Sequence, residues 1–280
     1  MSFEHLKDWV GRQEEHLDVA AVAPLTGLAR TLDHAEPPWR PGEVPPLGHW
    51  LYFLPQAPQS DIAEDGHPHR GGFLPPVPLP RRMWAGGDLQ WHAPIRVGEA
   101  LRRRSTIESV DHKSGRSGDL VFVKVVHEVL TERGLAVREV HDIVYRDPPT
   151  PGEAPAPGET AKADAVWERP GTGDPVMLFR FSALTFNGHR IHYDRSYCET
   201  VEGYPGLIVH GPLMATLLVD LFLRHNPGAT VTAFRFRARR PVFDVHPFTL
   251  CGAPRDGGAE LWVRDHEGFV AMTATLEAAS

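Results

Sequence analysis

The sequence predicts an α+β fold in which two antiparallel sheets each wrap around a helix. Residues 118–130 and 136–145 alternate apolar and polar side chains, as half-buried strands do. Residues 210–225, HGPLMATLLVDLFLRH, are apolar on nearly every side, so this helix must be buried, most simply inside a curved sheet. The segment 148–175 is dense in proline and glycine and divides the chain into two halves with a similar order of elements.

In the first half, apolar residues at helical spacing predict a helix over residues 3–17 and a second helix starting near Pro24. The proline-rich stretch 37–80 gives no assignment beyond a short strand around residues 49–54. Gly86 and Gly87 are interpreted as a turn. Strands are expected from Met83 onward, over residues 101–110, 118–130 and 136–145.

The second half predicts a strand at residues 176–184, then the apolar helix, then a final run of strands. These strands cover residues 230–240, 247–254, 260–263 and 269–276. A buried helix wrapped by an antiparallel sheet, twice over, is the hot-dog architecture in its double form. We therefore expect a diverged hot-dog domain at residues 1–147, a linker at 148–175 and a second hot-dog domain at 176–280.

Composition and charge exclude several classes of protein. The net charge of −7 argues against nucleic-acid binding, since duplex affinity requires lysines and arginines to neutralise phosphates. No apolar run approaches the roughly 20 residues of a membrane helix, and the first residues lack the apolar core of a signal peptide. The two cysteines give no disulfide framework or thiolate metal site. We expect a cytoplasmic protein without membrane or nucleic-acid partners.

Three segments of the second half resemble MaoC-like dehydratases and (R)-specific enoyl-CoA hydratases. FSALTFNGHRIHYD (residues 181–194) resembles their hydratase signature, and YPGLIVHGPLMA (204–215) the start of their central helix. RARRPVFDVHPFTL (237–250) resembles the strand and turn that follow. The order matches, and the overall appearance is similar to the two-domain group that contains itaconyl-CoA and mesaconyl-C4-CoA hydratases and mitochondrial-type 3-hydroxyacyl-thioester dehydratases. The resemblance implies a hydro-lyase whose catalytic domain is the second one.

The resemblance places His192 at the catalytic histidine, but two residues of the signature depart from the family. Asn187 stands where the family has its catalytic Asp, and His189 stands where it has Asn. An amide cannot exchange a proton near neutral pH, so Asn187 can orient water but cannot act as acid or base. We expect His192 to be the acid/base and His189 to be a second proton carrier or a structural donor.

Hydration of a 2-enoyl thioester also requires donors for the charge that develops on the thioester oxygen. Pro212 suits the first turn of the buried helix, and Gly211 before it leaves a backbone N–H open at the positive helix end. The sequence therefore predicts Gly211 as the oxyanion donor, with Val209 and His210 in the pocket wall. His210 is also interpreted as a structural cap.

Arginines are the candidate contacts for the anionic parts of a substrate. Arg235 and Arg237 alternate with phenylalanines in TAFRFRARR and could bind the phosphates of coenzyme A or phosphopantetheine, or could form a solvated strand face. Arg190 inside the signature and Arg146, just after Tyr145 at the domain junction, could bind a substrate carboxylate. Each could equally be a surface arginine.

A short branched C5 dicarboxylic acyl-CoA of the itaconyl-CoA or mesaconyl-C4-CoA type is the expected substrate, with coenzyme A or an acyl carrier protein as the thiol. Unbranched fatty acyl chains, a hot-dog thioesterase and a non-catalytic thioester-binding module remain alternatives. No cofactor is expected. His189 and His192 are spaced as in a zinc site, but no third ligand lies nearby in the pattern, so no metal is expected. His67 and His69 are expected to be exposed, and a homodimer would be unsurprising.

Overall fold

The computed structural model describes residues 3–115, 118–147 and 158–279, and within these ranges the strands form one antiparallel sheet. In chain order the strands are β1 (Gln13–Val19), β2 (Arg81–Trp91), β3 (Ala100–Gly115), β4 (Gly118–Thr131), β5 (Gly134–Arg146), β6 (Trp167–Gly171), β7 (Thr230–Ala238), β8 (Phe248–Arg255), β9 (Gly258–Arg264) and β10 (Val270–Ala279). Their order across the sheet is β1-β3-β4-β5-β2-β7-β10-β9-β8-β6. The strands of the two sequence halves thus meet at the pair β2–β7.

Four α-helices accompany this sheet in the described ranges: α1 (Val22–Thr31), α2 (Pro175–Thr185), α3 (Arg195–Thr200) and α4 (Gly211–His225). The predicted buried helix is confirmed as α4, and the helix predicted near Pro24 is confirmed as α1. Helix α4 packs on β8, β9 and β10, while α1 packs on α2. None of the helices described is both long enough and apolar enough to cross a membrane.

The one charged residue in the interior of α4, Asp220, is buried and fully paired. Its carboxylate contacts the ring of His34 at 2.6 Å, and it accepts from Arg169 and Arg224 at 2.8 Å each. His34 follows α1 and Arg169 lies on β6, so one carboxylate links α4 to both halves of the chain. A buried carboxylate is tolerated only with such partners.

The junction between the halves depends on two glycines of β2. A side chain at Gly86 would lie 2.6 Å from the backbone oxygen of Phe236, and one at Gly87 would lie 2.7 Å from the Phe236 ring. Both residues are inside β2, paired with Arg237 and Phe236 of β7. Their interpretation as a turn was wrong, because these glycines permit close strand approach rather than chain reversal.

Three other predicted elements were wrong. Residues 3–17 form a short 3-10 helix, Glu4–Trp9, and then β1, since Gly11 at φ 84° turns the chain between them. Residues 176–184 belong to α2 rather than to a strand: the side chain of Asp174 accepts the N–H groups of Val176 and Met177 and so starts a helix. Residues 49–54 contain a 3-10 helix, Gly48–Leu51, instead of a strand.

The strands predicted from alternation are confirmed as β3, β4, β5 and β7 to β10. Of the segment expected to be a linker, residues 148–157 lie outside the described residues. The remainder contains β6, which pairs with β8 at the edge of the sheet. The division of the chain into two domains and a linker stays a prediction.

A buried polar network anchors the first half. The Glu139 carboxylate contacts the His49 ring at 2.9 Å and the His141 ring at 2.7 Å, and it accepts from the Trp50 indole at 2.9 Å. Burial alone would raise the pKa of the Glu139 carboxyl, but His141 and His49 outweigh it, and the pKa lies well below its usual value. Glu139 is therefore a charged, fully hydrogen-bonded core residue that joins β5 to the 37–80 stretch.

We expect Glu139→Ala to lower the free energy of unfolding by about 3 to 5 kcal/mol, because it leaves buried donors without an acceptor. The measurement is urea unfolding followed by tryptophan fluorescence. Glu108→Ala is the matched control: Glu108 is exposed, with ion-pair distances of 3.9 and 4.0 Å, and should cost at most about 1 kcal/mol. Equal costs for the two variants would contradict this role of Glu139.

Candidate active site

The signature predicted from the sequence forms a turn between α2 and α3. Helix α2 ends at Phe186, whose φ of 48° reverses the chain direction, and a short 3-10 helix, Arg190–His192, follows. Asn187, His189 and His192 all line one cleft of about 3330 Å³. Residues of both halves form the walls of this cleft, including the whole loop of residues 62–75.

His192 is held in one orientation and one tautomer. It is buried, and its Nδ1 lies 2.8 Å from the carbonyl oxygen of Ile208, so Nδ1 carries the proton and donates it. Nε2 then has a free lone pair. Burial lowers the pKa of His192 to about 4, against the opposing effect of the Ile208 hydrogen bond and with a further decrease from His67. The ring is therefore neutral at pH 7 and can accept a proton.

A second buried histidine, His210, packs against the ring of His192. The rings of His192 and His210 are stacked with centroids 3.6 Å apart, and Nε2 of His210 lies 2.8 Å from the hydroxyl of Ser182. His210 does not line the cleft, and its Nδ1 is buried without a hydrogen-bond partner among the described residues. Burial lowers the pKa of His210 well below its usual value. His210 lies at the start of α4, and its ring packs against that of His192. Val209, the residue before it, lines the cleft.

Gly211 is the first residue of α4 and faces the cleft. Its N–H has no backbone acceptor within the described ranges, as expected at a helix start. Apart from its chain neighbours and its own helix, the nearest described atom to a Cβ built on Gly211 is the Trp84 carbonyl oxygen at 4.0 Å. The geometry thus leaves room for a ligand beside Gly211.

Asn187 and His189 are joined by a local turn. The side-chain oxygen of Asn187 accepts the backbone N–H of His189 at 3.0 Å. His189 lies with its ring 5.6 Å from that of His192. Burial lowers the pKa of His189 to about 2, with smaller contributions from His67 and His192. His189 is therefore a neutral imidazole in the cleft wall.

The first half contributes a carboxylate and an imidazole that the sequence did not place in the site. Asp65 accepts both the backbone N–H of His67 at 2.9 Å and its ring Nδ1 at 3.0 Å, and the His67 ring lies 4.1 Å from that of His189. The expectation that His67 is exposed was wrong, because the loop folds onto the signature turn. His69 is exposed as expected. In the sequence, the only local feature that could have indicated a part in the site is the pair of histidines, His67 and His69, shortly after Asp65.

Asp65, His67 and His189 also meet the first requirement of a metal site. Their ligand atoms lie within 4.8 Å of one another, and the group contains His189 but not His192, so it differs from the His189–His192 pair of the sequence pattern. The same atoms satisfy each other as a hydrogen-bonded carboxylate–imidazole pair, and the pKa of Asp65 is lowered by His67 despite the opposing effect of burial. These contacts account for the arrangement without an ion.

The predicted arginines lie in different surroundings. Arg190 donates to Asp194 at 2.8 and 3.1 Å, stacks over Tyr197 and does not line the cleft. Arg146 lines the cleft and donates to the backbone oxygen of Asp147. Tyr145 is buried and also lines the cleft.

Arg235 and Arg237 are exposed on the face of β7 opposite its buried phenylalanines, outside the cleft, and Arg235 pairs with Asp88. Contact of these two arginines with phosphates stays a prediction.

Comparisons with known proteins identify the family of the chain. Residues 47–244 match the family model described as hydroxyacyl-thioester dehydratase type 2. A mesaconyl-C4-CoA hydratase of Chloroflexus aurantiacus is 46% identical over 96% of both chains, and a mitochondrial hydroxyacyl-thioester dehydratase type 2 of Schizosaccharomyces pombe is 26% identical over 72% of this chain and 75% of its own.

Solved structures support the predicted architecture. A MaoC-like dehydratase from Phytophthora capsici superposes with a TM-score of 0.72 at 13% identity, covering 100% of this chain and 99% of its own. A Mycobacterium tuberculosis protein described as a double hotdog fold gives 0.58 at 13% identity, covering 96% of each chain. The predicted double hot-dog of class α+β is confirmed.

We expect histidine-selective NMR to show the His192 ring neutral, with the proton on Nδ1, from pH 7 down to about pH 5, because its pKa is about 4. Long-range ¹H–¹⁵N spectra distinguish the two nitrogens, and a His192→Gln spectrum identifies the resonances. A ring that is already charged at pH 6, or a proton on Nε2, would contradict the geometry described.

Proposed function

Because the chain belongs to the hydroxyacyl-thioester dehydratase type 2 family, we propose that it adds water to mesaconyl-C4-CoA or a closely related C5 dicarboxylic acyl-CoA such as itaconyl-CoA. Membership of the family makes the chain a hydro-lyase acting on acyl thioesters. The finer assignment rests on one observation, the 46% identity to a mesaconyl-C4-CoA hydratase over 96% of both chains. The products would be of the citramalyl or methylmalyl type.

The proposed chemistry uses two groups of the site, Nε2 of His192 and the backbone N–H of Gly211. As the water oxygen bonds to C3, Nε2 of His192 takes the water proton, and the electrons of the double bond move to the thioester oxygen. The N–H of Gly211, at the positive end of α4, stabilises that oxygen. The His192 imidazolium then gives its proton to C2 as the enolate collapses, which regenerates the neutral ring.

The other polar groups of the site position the water and the imidazole. The amide of Asn187 stands beside the turn and orients the water, since it has hydrogen-bonding capacity beyond its contact with His189. The Asp65–His67 pair lies next to His189 and supplies the carboxylate that the signature lacks at position 187. This arrangement explains how the family reaction proceeds without an acid at that position.

Coenzyme A as the thiol, a homodimer and a cytoplasmic location complete the proposal. The name of the 46% identical relative supports coenzyme A rather than a carrier protein. The two buried, unpaired cysteines support a reducing compartment. A preference for long unbranched chains would instead indicate a fatty-acyl dehydratase with the same fold and catalytic groups.

We expect the purified protein to hydrate mesaconyl-C4-CoA, measured as loss of absorbance of the conjugated thioester. His192→Ala should reduce kcat by about 100-fold or more, because it removes the general acid–base group, while KM changes little. His92→Ala is the control, since His92 is exposed outside the cleft. Near-normal turnover in folded His192→Ala protein would refute the catalytic assignment, and absence of hydration by the wild type would refute the substrate.

A second variant tests the oxyanion donor. Gly211→Val should abolish hydration while the unfolding temperature stays within a few degrees, since the added atoms enter the cleft rather than the protein core. Gly211→Ala should give an intermediate loss of kcat. Full activity in the valine variant would show that the thioester oxygen is bound elsewhere.

A further inference from the structure

One arginine of β2 projects into the same cleft as the catalytic groups. Arg82 pairs across the strands with Tyr145 of β5, and both residues line the cleft. Met83 is exposed on the opposite face, so Arg82 shares its face with Trp84. The backbone oxygen of Trp84 is the nearest atom to a Cβ built on Gly211. Arg82 therefore lies two residues from the strand segment that faces the predicted oxyanion donor.

Arg82 has no carboxylate partner among the described residues, whereas other cleft arginines are engaged. Arg81 pairs with Glu202 at 3.2 Å, and Arg240 pairs with Glu267 at 2.8 Å. Arg70 donates to three backbone carbonyls. A half-buried guanidinium that lacks an anion is costly unless a ligand supplies one.

Two further cleft arginines, Arg146 and Arg239, also lack an acidic partner among the described residues. Arg239 is exposed at the rim, and Arg146 donates to the backbone oxygen of Asp147. The positive charge of Arg82 contributes to the lowered pKa of both His67 and His189, after the larger effect of burial. Arg82 thus lies in the same cleft as these two histidines and has no carboxylate partner among the described residues.

The proposed substrate requires a cation at this place. In mesaconyl-C4-CoA the free carboxylate is attached to the carbon that water attacks, so its oxygens lie two bonds from that carbon. A group that binds this carboxylate must therefore stand in the cleft near His192. A planar guanidinium fits a carboxylate through two parallel hydrogen bonds.

We propose that Arg82, the cross-strand neighbour of Tyr145, forms a carboxylate subsite that selects C5 dicarboxylic acyl thioesters over neutral enoyl thioesters. The subsite deepens the proposed function and rests on it. The neutral competitor for comparison is crotonyl-CoA, which carries a methyl group in the trans position where mesaconyl-C4-CoA carries the carboxylate. Binding at Arg82 fixes the attacked carbon relative to His192 and leaves the thioester oxygen for Gly211.

The test compares kcat/KM for mesaconyl-C4-CoA and crotonyl-CoA in the wild type and in Arg82→Gln. Loss of a charge-assisted contact should lower kcat/KM for the dicarboxylic substrate by about 100-fold, and that for crotonyl-CoA by no more than about threefold. Arg82→Lys keeps the charge but not the two parallel bonds, and should lose about 10-fold on mesaconyl-C4-CoA alone. Arg180→Gln, an exposed arginine of α2 outside the cleft, is the matched control.

The outcomes separate the subsite from the proposed function. If the wild type hydrates mesaconyl-C4-CoA and Arg82→Gln slows both substrates equally, Arg82 is structural and the subsite is refuted. If the wild type hydrates only neutral enoyl thioesters, the proposed function itself fails. Should Arg82→Gln not fold, Arg82→Lys decides: an unchanged substrate ratio refutes the subsite, and a selective loss on the dicarboxylic substrate supports it.

Discussion

Helix α4 has 11 of its 15 residues buried, so it can exist only where other elements enclose it. Strands β8, β9 and β10 cover one side, and Asp220 ties the helix to His34 and Arg169, one from each half of the chain. Because the helix is enclosed, the position of its first residue is fixed as well. That residue, Gly211, is held at the cleft with an N–H that has no backbone acceptor in the described part of the chain, and the stacked rings of His210 and His192 lie nearby.

The two halves complete one site because a single close contact joins their loops. A Cβ on Gly66 would lie 1.9 Å from the backbone oxygen of Gly188, so only glycine allows the first-half loop to rest on the signature turn. The backbone of Arg190 donates to Asp65 in the same contact. Through it the first half brings Asp65 and His67 to a turn that carries an amide, Asn187, and the imidazole of His189. The diverged half thus supplies functional groups as well as a covering sheet.

The sequence predicted those features that depend on neighbouring residues in the chain. Alternation identified β3 to β5 and β7 to β10, since each strand buries one face, and the resemblance located His192 and Gly211. The strand prediction at residues 176–184 was wrong because the apolar residues there show no clear period. Asp174 and Pro175 are residues typical of a helix start. Asp65 and Arg82 could not be found this way. Each lies about 100 residues from His192 in sequence, and only strand pairing and loop contact bring them near it.

The low basicity of the site follows from the same enclosure and suits the reaction. Burial lowers the pKa values of His192, His189 and His210, so the proton taken from water resides on a strongly acidic imidazolium. Such a base removes the proton only while the carbon–oxygen bond is forming, and its conjugate acid then protonates C2 readily. An exposed histidine, with a pKa near 6.5, is partly protonated around neutral pH. Burial keeps the His192 ring neutral over a wider range of pH, and this burial is a consequence of packing α4.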